Sequence, residues 1–218
     1  MWLRLGIAAP CGHSNCFPAH VHDHLGVHRL GCRNAAGKRT RRHDDVVAVI
    51  ADAALAADPR AFRVAREERL QDAEDSQCMP GDVALDLGSG RTLVDLTIAS
   101  PFAAAGQVSN SIAGFPAAAA ATAYDRKINK WRALLGDGEL VQKHESVSFQ
   151  PIALTALGAW DERSLLWLKR FSDVCAAASG NDKGFAFSDL MEKLSVALWR
   201  GNSRLLRALR QAQSGELV

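Results

Sequence analysis

No stretch of this chain approaches the run of about eighteen apolar residues that a membrane-spanning helix needs. The first nine residues, Met1 to Ala9, also lack the long apolar segment of a secretory signal. Cysteine is scarce and odd in number, five in all with three of them before residue 33, which argues against a disulfide framework and for a reducing compartment. The expected location is therefore nuclear if the source is eukaryotic and cytoplasmic otherwise, with no membrane partner and no secretion. Net charge is only +2, so the overall balance selects no partner. There are no internal repeats, and the one low-complexity run is the alanine stretch after Pro116. Gly88-Ser89-Gly90 is not followed by the Gly-Lys-Ser/Thr of a phosphate loop, and it runs into a strand where such a loop, or a nucleophile elbow at Ser89, would need a helix.

What is present suffices for a core. Of 218 residues, 48% are hydrophobic, enough for one domain of moderate size with or without a small appendage. The most informative stretch runs from Pro80 to Thr97. Two alternating apolar and polar runs flank Gly88-Ser89-Gly90, the pattern of a β-hairpin. Alternation places Val83, Leu85 and Leu87 on one face with Val94, Leu96 and Ile98, and Asp82, Ala84 and Asp86 on the other with Leu93, Asp95 and Thr97. A two-residue turn at Ser89-Gly90 would set Ala84 opposite Asp95 and leave Asp82 diagonal to Asp95, about 7 Å away. Two carboxylates at that spacing suit Mg²⁺ or Mn²⁺. They equally suit two solvent-facing strand residues.

Upstream, Cys11-x4-Cys16 and His28-x3-Cys32 offer three thiols and an imidazole for a tetrahedral structural zinc site. His13, His20, His22 and His24 compete as ligands, and buried cysteines with incidental surface histidines are the ordinary alternative. Arg29, Arg33, Lys38, Arg39, Arg41 and Arg42 then precede His43 with no acid among them. Such an arm is either a solvated linker or a nucleic-acid contact through Arg39, Arg41, Arg42 and His43. A helix is expected to begin at Asp44 or Asp45 and to end near Asp58-Pro59, with Val46, Val49, Ile50, Ala53 and Leu55 on its apolar side. Residues 62 to 67 read as a short strand whose Glu67 could extend the acidic cluster, and residues 71 to 79 as a loop. Helices are expected over 116–135 and 162–179, a strand over 146–155, and a helical tail over 185–213 broken near Gly201-Asn202. In that tail Leu194, Leu198, Leu205 and Leu209 line an apolar side, with arginines mainly elsewhere. Lys127, Lys130 and Trp131 fall at i, i+3 and i+4 on the 116–135 helix, as a basic site or as a solvated lysine pair beside a packed ring.

Taken together, these residues resemble the restriction-like endonuclease domain of the PD-(D/E)-x-K nuclease superfamily. The form resembled is the one at the C-terminal end of early-branching, site-specific non-LTR retrotransposon polyproteins. The resemblance covers roughly residues 2 to 170. It rests on Cys11, Cys16, Gly26, His28, Leu30 and Cys32 for the Cys-Cys-His-Cys knuckle, and on Arg42-His43-Asp44. It rests further on Pro80-Gly81-Asp82-Val83, Val94-Asp95-Leu96-Thr97 with Ser100-Pro101, and Lys127-Ile128-Asn129-Lys130-Trp131. Trp131 stands where the family more often has Tyr, Met79 where it often has a basic residue, and Thr155 where a Glu is expected. No reverse transcriptase segment is present, so the chain reads as a fragment, a degraded copy or a stand-alone descendant.

The resemblance implies an α/β (α+β) fold with a restriction-endonuclease-like core, a central mixed sheet flanked by helices, and a small N-terminal zinc knuckle. The implied division is 1–42 for knuckle and basic arm, 43–180 for the core and 181–218 for a helical extension. It implies a Mg²⁺- or Mn²⁺-dependent enzyme that nicks DNA during target-primed integration. Asp82 and Asp95 would hold the metal. Lys127, with Lys130 second, would supply the lysine that simpler relatives carry where Thr97 stands. Target DNA is the implied partner, with the element's RNA as a further candidate. The alternatives are a nucleic-acid-binding module that no longer cleaves and an interaction domain in which the acids and lysines form a structural ion-pair network.

Overall fold

The computed structural model describes residues 30, 36–60, 62–66, 70–71, 77–78, 81–88, 90–100, 117–135 and 147–214. Among these residues the fold is mixed α/β, with a four-stranded mixed sheet and four helices. In chain order the elements are α1 (Ala36–Ala57), β1 (Arg63–Arg66), β2 (Leu70–Gln71), β3 (Gln77–Cys78), β4 (Val83–Asp86), β5 (Arg91–Ala99), α2 (Ala118–Leu135), β6 (Val147–Thr155), α3 (Glu162–Ser179) and α4 (Lys183–Ser214). The main sheet has the order β1-β4-β5-β6. Its first three strands are antiparallel, and β6 lies parallel to β5. Parallel neighbours need a crossover connection, which here contains α2. No helix among the described residues is long and apolar enough to cross a membrane.

The two faces of the sheet follow the alternation. Val83, Leu85, Val94, Leu96, Ile152 and Leu154 point to one side, where α1, α3 and α4 bring Ile50, Leu168, Leu194 and Leu198 against them. Each of these side chains is almost fully buried, worth about 1.5–3 kcal/mol apiece in transfer free energy. Among the described residues the other side is covered by α2. There Ala120, Ala123 and Tyr124 meet Ala153, and Trp131 stacks on Phe149, ring centroids 4.7 Å apart, over Ala84 and Leu93. The hairpin face that carries the aspartates is therefore partly roofed by a helix.

The hairpin register differs from the two-residue-turn expectation. Asp86 pairs with Arg91 and Ala84 with Leu93, so the connection is four residues long. The Asp86 carboxylate accepts the Gly88 N–H at 3.1 Å, and Gly88 adopts φ 84°. This side-chain-to-backbone turn closes the strand pair earlier than the glycines alone suggest. A shift of two residues keeps every side chain on its face, which is why the face assignment survives.

Two helices extend past their expected limits, for one shared reason. α1 starts at Ala36 and takes the basic arm into the helix, and α4 runs unbroken through Gly201-Asn202. The two cross there. A Cβ at Gly201 would lie 2.4 Å from Arg42 Cγ, so glycine permits a close approach at that point. Arg42 Nη1 donates to Asn202 Oδ1 at 2.8 Å, and Asn202 Nδ2 donates to Ala156 O at 2.7 Å, all within the interior. Residues that favour a break in isolation are here held by tertiary bonds. α4 also supplies Leu190, Leu194 and Leu198 to the main core, so it is part of the core and not an extension. Residues 71 and 77–78 fall within the stretch expected as a loop, but 70–71 and 77–78 pair as a short antiparallel ribbon. α3 forms as expected, with Asp161 at its N-cap accepting the Arg163 and Ser164 N–H groups and Gly180 closing its C-terminus.

Candidate active site

Asp95 sits on β5 beneath α2, 9% exposed. Lys127, reaching down from α2, places Nζ 2.8 Å from Oδ1 and 2.8 Å from Oδ2 of that carboxylate. Asp82 lies just before β4. Its N–H donates to Val94 O at 2.8 Å, and its Oδ2 accepts the Leu96 N–H at 2.7 Å. These bonds hold the Asp82 carboxyl near enough to Asp95 for the two acids to interact electrostatically. Burial pushes the Asp95 carboxyl above the ordinary carboxylate value. The Lys127 ammonium opposes that rise, and the Asp82 carboxyl reinforces it.

His43 completes the group from the opposite side of the sheet. Its Nε2 lies 3.0 Å from Leu96 O and 3.1 Å from Asp82 Oδ2, and its Nδ1 lies 3.1 Å from Asp44 Oδ1. A carbonyl oxygen only accepts, so Nε2 carries a proton, and a carboxylate at Nδ1 calls for a second. Burial disfavours that imidazolium, but the Asp82 carboxylate, then Asp44 and the Leu96 carbonyl, outweigh it and raise His43 to about 9. Two acids are thus balanced by two cations drawn from helices on opposite faces.

The i, i+3, i+4 group on α2 divides three ways. Lys127 turns to Asp95, Trp131 packs on Phe149, and Lys130 is exposed. Thr97 is half-buried on β5, the strand of Asp95. α2 itself is clamped at its base. Arg163 of α3 lies 3.9 Å over the Tyr124 ring, donates to Asp125 Oδ1 at 2.6 Å, and is fixed by Asp161 at 3.0 Å. Those carboxylates raise the Arg163 guanidinium above its usual value.

The nucleic-acid contacts expected on the arm are only partly available. Arg41 is exposed and Arg39 half-buried, but Arg42 is 4% exposed and bonded to Asn202. Burial, with Arg39 nearby, lowers it to about 10. His43 is engaged by Asp82 and Leu96. Successive helical residues lie about 100° apart, so Arg39, Arg41, Arg42 and His43 cannot share one surface, and the interior claims two of them. The role of His43 is the one element of the site that the residue order does not assign. Its trace in the sequence is a histidine between a basic run and two acids. Glu67 and the expected zinc ligands Cys11, Cys16, His28 and Cys32 lie outside the described residues.

Two carboxylates are the donor type by which a small, hard divalent cation is commonly held. Asp82 and Asp95 offer carboxylate oxygens, with the Leu96 carbonyl beside them, and Mg²⁺ is ordinarily held by one or two carboxylates while keeping several waters. Among the described residues no cluster of three or more His, Cys, Asp or Glu side chains is arranged to hold a metal ion. Comparison with protein-family models and with curated proteins finds no match for this chain.

Proposed function

We propose that the chain is a metal-dependent DNA endonuclease with a restriction-endonuclease-like core, a nicking domain of the kind found in site-specific non-LTR retrotransposon polyproteins, with a structural zinc knuckle at Cys11, Cys16, His28 and Cys32. The observation that carries this reading is that Lys127 of α2 bonds Asp95 of β5, with the Asp82 carboxyl, just before β4, beside Asp95. A phosphodiester is anionic and repels hydroxide, so its hydrolysis needs positive charge at the phosphoryl oxygens and an activated water. A divalent cation held by Asp82 and Asp95 would acidify a bound water and offset charge on the phosphoryl group. Asp95, braced by Lys127, presents its oxygens in a fixed direction. Lys127 also has ammonium protons to spare for a phosphoryl oxygen or for orienting the water. His43 keeps Asp82 and the Leu96 carbonyl in place. The water oxygen bonds to phosphorus as the bond to the leaving sugar oxygen breaks. The proton lost by the water passes to bulk solvent, which returns one to the departing oxygen.

A second reading has its own observation. His43 and Lys127 already neutralise the two acids, as a structural ion-pair network would. Supercoiled plasmid incubated with the full chain and Mg²⁺ or Mn²⁺ separates the two. Nicked circles that vanish in Asp82→Ala and Asp95→Ala support the nuclease. Salt-sensitive DNA binding with no nicking in either metal would leave a binding module, and neither binding nor nicking would leave the network.

A further inference from the structure

The seam where α1 and α4 cross carries a concentration of positive charge that the acid site does not use. From Lys193 to the end of α4 at Ser214 there is no acidic residue, and none stands in α1 before Asp44. At about 100° per residue, Arg200, Arg204 and Arg207 fall within an arc of about 60° on α4, and Lys38, Arg41 and Asp45 within a similar arc on α1. These two stripes adjoin, because Arg204 is ion-paired with Asp45 and Arg42 meets Gly201 and Asn202 between them. Lys38, Arg41, Arg200 and Arg207 are exposed and form no ion pair among the described residues. Asp45 is taken by Arg204, and Asp44 turns to His43. Among the described residues the seam therefore keeps four uncompensated cations. Arg200 and Arg207 are about 10 Å apart along the helix, a length over which one DNA strand presents about three phosphates.

We propose that this seam grips the phosphate backbone of duplex DNA, as a contact surface separate from the acid site and on the face of the sheet opposite α2. The choice of duplex DNA as the polyanion rests on the nuclease reading, while the surface itself rests on the two stripes. Phosphate contacts of this kind position a duplex without reading its sequence. His43 continues the helix from Arg41 and Arg42 into the acid site, so DNA held at the seam is connected to that site through one rigid element.

The test is fluorescence anisotropy of a labelled duplex with the full chain in EDTA, over a salt series. The variants are Arg200→Gln/Arg207→Gln and Lys38→Gln/Arg41→Gln, with Lys169→Gln/Arg170→Gln on exposed α3 as a control of equal charge change. Each seam variant is expected to bind about ten-fold more weakly at low salt. The slope of log K against log salt is expected to fall by about 0.9 for each phosphate no longer neutralised, with the control unchanged. Circular dichroism melts check that each variant is folded. Seam variants that bind like the parent, a control that weakens binding equally, or binding to phosphatidylserine vesicles in place of DNA would each overturn the proposal. Measurement in EDTA separates the two readings. Seam-dependent binding with no nicking in any metal removes the nuclease and keeps the grip, whereas nicking with seam-independent binding does the reverse.

Discussion

The two faces of the sheet are built to different specifications. Beneath α1, α3 and α4 lie large aliphatic side chains, Ile50, Leu85, Leu154, Leu168 and Leu194 among them, buried almost completely. Beneath α2 the contacts are largely alanine on alanine, with one stacked aromatic pair and then a lysine on an aspartate. Burial scales with apolar area, so the first face holds most of the stability. The second, thinly covered, has room for charged groups at its end. A carboxylate can be kept partly desolvated there because the other side keeps the fold intact.

That contrast can be broken from either side. The largest effect is expected on the α2 side and on activity alone. Asp95→Ala or Asp82→Ala should reduce plasmid nicking by at least about a thousand-fold, while the melting temperature shifts by only a few degrees. A loss of folding in both variants would show that the two faces are not separable. On the thick face the reverse holds. Leu194→Ala should cost about 2–5 kcal/mol in urea denaturation, and nicking of the remaining folded protein should be unaffected below its new melting point.

His43 bridges the faces, and its pH dependence sharpens the comparison. Its folded-state value of about 9 lies above the unfolded value of about 6.5. The stability it contributes is therefore fully present below about pH 6.5 and is lost as pH rises through about 9. In EDTA, His43→Gln should be less stable than the parent by about 1.5–3 kcal/mol at pH 6, and the gap should shrink by about pH 9.5. A constant gap across that range would mean that packing, not charge, accounts for the residue. The smallest effect is expected at Lys130. Lys130→Ala should change nicking by less than about two-fold, because the side chain faces solvent, whereas Lys127→Ala should cost about a hundred-fold or more.

Much of this architecture is legible in the residue order because periodicity and caps act locally. Alternation locates β5 and β6 and assigns every hairpin side chain to its face. The alanine run locates α2, and the expected span of 162–179 matches α3. The pairing of Asp95 with Lys127 is reached through a resemblance, since 32 residues of chain separate them and no local rule links a strand position to a distant helix. What is not legible depends on contacts remote in the chain. The hairpin register turns on where the Asp86 side chain directs its hydrogen bond. The start of α1 and the continuity of α4 both depend on Arg42 meeting Gly201. His43 looks like the last member of a basic arm because its partner, Asp82, is supplied by a strand that follows much later.

The unbroken course of α4 has a mechanical side. A 32-residue helix is a rod about 48 Å long, clamped at Gly201 and embedded at its first half through Leu190, Leu194 and Leu198. With no hinge at the crossing, a pull on the arginine end is borne as bending stress by the aliphatic packing at the other end. The molecule thus has a lever whose fulcrum is a single absent side chain. A Cβ at that point would lie 2.4 Å from Arg42 Cγ, so a larger residue would force the two helices apart at the crossing.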